Sequence, residues 1–435
     1  MQVMRKMTMV AVALALVAAT AQAENWPQWR GPFANGSTTE TNLPASCDKA
    51  NEMWSAALPG HGAATPIIWG DRVFVSSTDP AANAVVAICV SAADGKILWQ
   101  TRLGDDAKAP NNDMATPSPC TDGQRVYFLT GSGDLAALDF AGKVLWSRNL
   151  VKEFGNTCIK YGYSSSPLLL GGKLYIEMVR RAKPYVGVPG IEGTLEPFVL
   201  AVDVATGKDV WRQIRPSDAD DESLEAYTTP LPFQAGGRAE VLVLGGDYLT
   251  GHDPETGKES WRLTYNKTHT GKWRLVAGPV AWEDLVFMIQ PRGNHVMAAK
   301  IGGKGLLPDS VVVWTSEGRA SDSATPLVYQ NLLYMLDSDA KAMTCFEPRT
   351  GKSLWRGALG GTAWRASPTG ADGKIFCLSM DGEVAVLAAG NEFKILSRTT
   401  LGDGQTQSSI AVAGGRVYVR TVHTLHSFGK PAAKP

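Results

Sequence analysis

The chain has 435 residues, enough for one large core or two ordinary domains, and its 42 basic groups balance 42 acidic ones. A near-neutral chain has no electrostatic reason to seek nucleic acid or anionic lipid, and no partner of either kind is expected. No segment has the roughly 20 apolar residues that a membrane span needs.

The N-terminus reads as a secretory signal. Arg5 and Lys6 precede the apolar run from Met7 to Ala19, and Ala21-Gln22-Ala23 places small residues at both recognition positions. Cleavage is expected after Ala23, with residues 1–23 lost. The first cysteine, Cys47, lies far beyond that point, so no lipid anchor is expected. The expectation is a soluble protein outside the cytoplasm, periplasmic or secreted. Residues 24–50 form an extension that opens Trp26-Pro-Gln-Trp29-Arg30-Gly31-Pro32. Two tryptophans and a proline in such a segment suit pinning it to the domain behind, 51–428. Residues 429–435 read as a tail.

From residue 65 one unit recurs. It opens on a small residue plus proline, at Thr65-Pro66, Thr116-Pro117, Ser166-Pro167, Thr229-Pro230, Gly278-Pro279, Thr325-Pro326 and Ser367-Pro368, with Ser409-Ile410 as a degenerate eighth. A β-branched or aromatic strand follows after a turn, as in Arg72-Val-Phe-Val75 and Arg416-Val-Tyr-Val419. The unit closes on a turn and a tryptophan. Ala201-Val-Asp203-Val-Ala-Thr206-Gly207-Lys208-Asp-Val-Trp211 is the clearest copy. It recurs toward Trp261 and Trp355, more loosely toward Trp99 and Trp146, and without the Gly-Lys turn at Trp314. Asp203 is placed to accept turn amides and Gly207 to take the left-handed conformation. The tryptophans are expected to wedge between neighbouring units as structural docking residues.

That ending, A-x-D-x-x-T-G-K-x-x-W, resembles the tryptophan-docking signature of the pyrroloquinoline-quinone-like repeat family. The family includes quinone-dependent alcohol dehydrogenases and the outer-membrane-protein assembly factor B propeller. The resemblance covers about residues 50–428. It implies an all-β fold, an eight-bladed β-propeller of four-stranded antiparallel blades. The eighth unit ends at Phe428 without a closing tryptophan, while Met53-Trp54 ends a strand with no blade before it. Ring closure by the strand around Trp54 is the simplest solution, since it removes two exposed sheet edges; seven blades plus a loose tail is the alternative. The Trp26–Pro32 segment resembles the opening of exported bacterial members of the same family.

Other motifs read as structural. Gly131-Ser-Gly133-Asp-Leu-Ala136 lacks the helix of a dinucleotide site, and Gly351-Lys352-Ser353 is a blade turn. The six cysteines contain no C-x-x-C and allow 15 pairings. Cys89, Cys345 and Cys377 read as packing residues, while Cys158, ahead of a blade opening, is expected to be reactive or disulfide-bonded. His423 and His426 fall on opposite faces of a strand. Asp218, Asp220, Asp221, Glu222 and Glu225 read as a solvated loop without calcium-loop spacing. No metal site is expected.

In a propeller, residues just before each inner strand converge on one mouth of the channel. Here that set is His61, Asn112, Asp113, Tyr161, Tyr163, Tyr227, Trp273, Arg274, Asp322, Trp364 and Arg365. Aromatic faces with Arg and Asp suit a planar anionic ligand, suit a peptide equally, or fill the channel together with water. The insert Val179 to Pro197, with Arg180, Arg181, Lys183, Tyr185, Pro189 and Gly190, reads as a lid or partner-contact loop.

Two functions stand against each other: a non-catalytic exported scaffold binding protein, peptide or small ligand at the mouth, and a quinone-dependent dehydrogenase using pyrroloquinoline quinone with calcium. The resemblance implies that dehydrogenases are longer and often carry adjacent cysteines, which this chain lacks. Their calcium-and-base set of Glu, Asn and Asp has no residue-by-residue counterpart here beyond Asn112-Asp113. The expectation is the scaffold, with no catalytic residue and no cofactor.

Overall fold

The computed structural model describes residues 24–107, 112–182, 195–290, 295–316 and 320–430. The expected signal 1–23, the insert residues Lys183, Tyr185, Pro189 and Gly190, and tail residues 431–435 lie outside the described residues. Eight antiparallel sheets follow one another along the chain. Blade 1 is Ile67–Trp69, Arg72–Asp79, Ala84–Ser91 and Ile97–Asp105. Blades 2 to 7 span 120–149, 168–214, 231–264, 280–315, 327–358 and 369–400. Blade 8 takes Ala411–Ala413, Arg416–Arg420 and Thr424–Gly429 from the end of the chain. Its fourth strand, Glu52–Ala57, comes from the beginning, with Trp54 opposite Ser427. The fold is thus an all-β, eight-bladed propeller closed at its seam by the strand that bears Trp54.

The strand pattern explains where the core sits. Second and third strands are apolar on both faces and buried, as with Val73, Phe74 and Val75, because each blade packs between two others. Outer strands alternate instead: Ile97–Asp105 faces water on every other residue. The second strand of blade 4, Arg238–Gly245, lacks an obvious sequence signature because it begins on charged residues. Blade 4 also departs from the four-stranded expectation. Gly305–Leu306, from the loop inside blade 5, adds a fifth strand parallel to its outer edge.

Each outer-strand tryptophan but one lies on the closing turn of the following blade. The Trp146 indole N–H donates to the Val204 carbonyl (3.0 Å), and its ring covers Gly207, where a Cβ would come within 2.6 Å. Gly207 is therefore required twice, for its φ of 70° and for the ring above it. Trp99 donates to Phe140 O, Trp211 to Pro254 O, Trp314 to Pro348 O and Trp355 to Gly390 O, at 2.8–3.0 Å. Trp54 does the same to Ala92 O across the seam. Trp211 and Trp355 are partly buried, because the outer strand leaves one ring edge in water. Trp261 is the exception. It is 1% exposed, lies over Gly251 of its own blade and donates to the buried Glu240 carboxylate (2.8 Å). Blade 5 has no regular closing turn to receive it, since residues 301–311 run off to pair with blade 4.

All six cysteines are buried and unbonded, Cys158 included, so neither a disulfide nor an exposed thiol exists there. Burial pushes every one of these thiols above its ordinary range.

Candidate functional site

The blade openings build a belt around the channel. The Thr65 amide donates to Ser118 Oγ (2.9 Å), Ser118 to Ser166 (2.9 Å), and Ser166 to Thr229 (3.1 Å). From the opening of blade 5 onward, Gly278 donates to Thr325 (2.8 Å), Thr325 to Ser367 (3.0 Å), Ser367 to Ser409 (3.1 Å) and Ser409 back to Thr65 (3.2 Å). Seven of the eight blades thus hand their opening amide to the hydroxyl of the next. This explains the Ser/Thr-Pro signature: proline ends the segment without a further donor, and the hydroxyl satisfies a neighbour's. It also corrects one register, since the opening of blade 2 is Ser118-Pro119 and not Thr116-Pro117.

The belt breaks once, between Thr229 and Gly278, where glycine offers no hydroxyl. A Cβ at Gly278 would meet nothing closer than 3.5 Å. Gly278→Ser should therefore close the belt and raise the unfolding free energy by about 0.5–1.5 kcal/mol, one net hydrogen bond. Urea denaturation of the variant measures this, and a loss of stability would mean that the gap is needed.

Inside the belt lies a channel cavity of about 610 Å³. The N-terminal extension closes one end of it. Trp26 pairs with Ile68 in both directions (2.9 Å), and the Thr121 amide reaches Pro27 O (2.8 Å). The Arg30 guanidinium, 3% exposed, donates to Pro368 O (2.8 Å) and Pro326 O (2.7 Å). Burial lowers its pKa to about 9. Gly31 and Gly36 give these side chains room, because a Cβ on either would strike the Trp26 ring or the Arg30 guanidinium. The segment is thereby stapled across the inner strands, with Trp29 lining the channel as its floor.

The opposite end is the mouth. Of the expected set, Asn112, Tyr161, Tyr227, Arg274, Asp322 and Arg365 line this one cavity. Arg274 lies 3.4 Å from Glu222 and 3.3 Å from Asp322, and its guanidinium stands 5.1 Å from the Tyr161 ring centre. The Tyr227 hydroxyl donates to Glu225 (2.8 Å) and accepts the Tyr161 amide (3.2 Å). Burial, with the Glu225 charge, holds that phenol protonated far above its usual range. Arg365 is exposed and forms no hydrogen bond or ion pair among the described residues. The acidic loop is not simply solvated: Glu225 is fully buried, and Glu222 faces both Lys160 (2.9 Å) and Arg274.

Five expected residues do not reach the cavity. Tyr163 is 1% exposed and donates to the Glu177 carbonyl (2.9 Å), and Trp364 is wholly enclosed with its indole on Gly360 O (2.8 Å). Neither offers a face to a ligand, because side chains on these connecting segments alternate between the channel and the inter-blade core. Asp113 binds the Ala115 amide (2.9 Å), and burial raises its pKa. His61 packs edge-on against His423, with ring centres 4.9 Å apart. Trp273 packs against the blade 4–5 core. Trp29, Gln405 and Gln407 line the cavity but were not anticipated. The two glutamines precede Ser409 at the spacing of two that keeps one face toward the channel, and that alternation could have found them.

A family profile described as outer membrane protein assembly factor BamB matches residues 38–182, 196–344, 304–392 and 339–427. No curated protein matches the sequence. Among solved structures, BamB from Moraxella catarrhalis is 16% identical over 87% of this chain and 99% of its own, with a TM-score of 0.59. The quinohemoprotein alcohol dehydrogenase from Comamonas testosteroni is 15% identical over 94% and 81%, with a TM-score of 0.65. A europium-containing methanol dehydrogenase is 14% identical over 93% and 98%, with a TM-score of 0.68. At such identities the likeness to these structures shows a common fold alone.

Proposed function

The chain belongs to the family of the outer membrane protein assembly factor BamB, and from that premise we propose that it is a non-catalytic binding module whose partner docks at the channel mouth. One observation carries this reading. The cavity is closed by Trp29 at one end and open at the other, and its rim bears Arg274 and Arg365 beside Asp322, with Glu222 also against Arg274. Concave, part-aromatic surfaces with a few charged groups of this kind hold ligands or protein segments. The relative named as an assembly factor favours a protein partner for this chain too. A place outside the cytoplasm belongs to the same proposal; among the described residues no helix is long and apolar enough to cross a membrane.

The dehydrogenase reading fits the lining less well. Calcium takes 6–8 oxygen ligands, several of them carboxylates. Asp322 is the one carboxylate among the described cavity residues, and it faces Arg274. Among the described residues, no group of three His, Cys, Asp or Glu side chains could hold a metal. The residues therefore do not fit a calcium-bound quinone, and no catalytic step is derived from one.

Two measurements test the proposal. A photo-crosslinking residue at Gln405, in the mouth, should form protein adducts in the native cell, whereas one at Val210, on the exposed outer strand of blade 3, should not. Anaerobic titration with pyrroloquinoline quinone and calcium, read by absorbance and by alcohol oxidation, should show no turnover. Adducts only from Val210, or calcium-dependent oxidation, would overturn it.

A further inference from the structure

We propose that the channel throat binds a small polyvalent oxyanion, a phosphate or a polycarboxylate. This assignment rests on the mouth being the binding face and names the chemistry of the guest it takes.

The belt supplies the first argument. A hydroxyl oxygen that accepts an amide keeps its own proton to give. Thr65, Ser118, Ser166, Thr229, Ser367 and Ser409 all line the cavity, and each accepts an amide. None of the six donates to an acceptor among the described residues. The fold thus arranges six donors around one axis and gives them nothing to bind. Water in the open channel can take these protons one at a time, whereas a multidentate acceptor takes several at once, and oxyanions are such guests.

Charge supplies the second argument. Asp322 and Glu222 both lie against Arg274, with Asp322 keeping one buried oxygen unpartnered, while Arg365 has no carboxylate partner among the described residues. Arg274 itself keeps a buried Nε without a partner. Asn112, Gln405 and Gln407 line the cavity as neutral amides, and Asp322 is the one carboxylate among the described lining residues. The third argument is enclosure. Trp29 and the apolar blades behind it put low-dielectric material on all sides but the mouth, which strengthens an anion's attraction to these donors. A volume of about 610 Å³ admits such an anion with part of its hydration shell. A neutral sugar brings no charge to set against Arg365.

Isothermal titration calorimetry of the full chain tests this at fixed ionic strength, with inorganic phosphate in one arm, citrate in the second and glucose in the third. The expected result is saturable one-to-one binding of at least one anion, with glucose silent; the arm that binds identifies the source. Arg365→Gln should weaken that binding about tenfold or more, the loss of one charge-assisted hydrogen bond. Its melting temperature without anion should not change, because Arg365 is exposed and bonds nothing among the described residues. No saturable binding of either anion, or unweakened binding by Arg365→Gln, overturns the oxyanion assignment. Crosslinking from Gln405 reports on the mouth separately, so its success beside a failed titration removes only the oxyanion.

Discussion

Trp261→Ala should lower the unfolding free energy by about 3–5 kcal/mol, the range for truncating a large enclosed aromatic. Three costs add. The indole is 1% exposed and belongs to the core joining blades 4 and 5, so its removal leaves a cavity. Its N–H is bonded to Glu240 Oε2 at 2.8 Å, and Glu240 is wholly buried, so the variant leaves a carboxylate oxygen without that donor. Gly251 beneath the ring has no side chain with which to fill the gap. Trp211→Ala and Trp355→Ala should cost less, because each ring is partly exposed and each N–H is bonded to a backbone carbonyl that water can reach after truncation. Urea denaturation of the three variants gives the order. Equal losses would show that the Glu240 contact contributes nothing beyond the common docking.

Glu177→Gln should change the pH dependence of stability more than any other single replacement. Glu177 lies on the second strand of blade 3, fully enclosed, with Oε1 accepting from Thr228 Oγ1 (2.7 Å) and Ser165 Oγ (3.4 Å), and with Oε2 unpartnered. Burial raises its pKa from 4.5 to about 8. Between those values the native chain holds a proton that the unfolded chain releases. Its contribution is therefore complete below about pH 4.5 and is lost as pH rises through about 8. At roughly 1.4 kcal/mol per pH unit over that window, the wild-type protein forfeits about 5 kcal/mol that the uncharged variant keeps. His252 acts in the opposite sense. Burial lowers its pKa to about 4, so its contribution is complete above 6.5 and is lost as pH falls through 4. The difference between wild type and variant cancels that term. Denaturation curves at intervals from pH 5 to 8.5 should converge at the acid end and separate toward the alkaline end. Parallel curves would mean that Glu177 is ionised throughout.

Much of this architecture is written locally. The Asp-x-x-Thr-Gly-Lys turn forms from its own residues, with the Thr206 amide on Asp203 (2.8 Å) and Gly207 at positive φ, so the sequence alone identifies the blade ends. Strand composition is equally local, and the orphan Trp54 announced the seam because a closed ring leaves no strand unpaired. The unit, its count and the circular closure can thus be read along the chain. Which residues meet depends on the assembled ring. The belt joins residues 42 to 63 apart in the chain, and across the seam 344 apart, so Ser118 could be told from Thr116 only by its neighbour's amide. Arg365 and Trp364 are consecutive, yet one lines the channel and the other is enclosed, because the direction of each side chain depends on the twist of a connecting segment rather than on its composition. Trp29 becomes the channel floor because Arg30 reaches carbonyls of blades 6 and 7, about 300 residues away. Such contacts arise only when the ring is complete, and no periodicity within one repeat contains them.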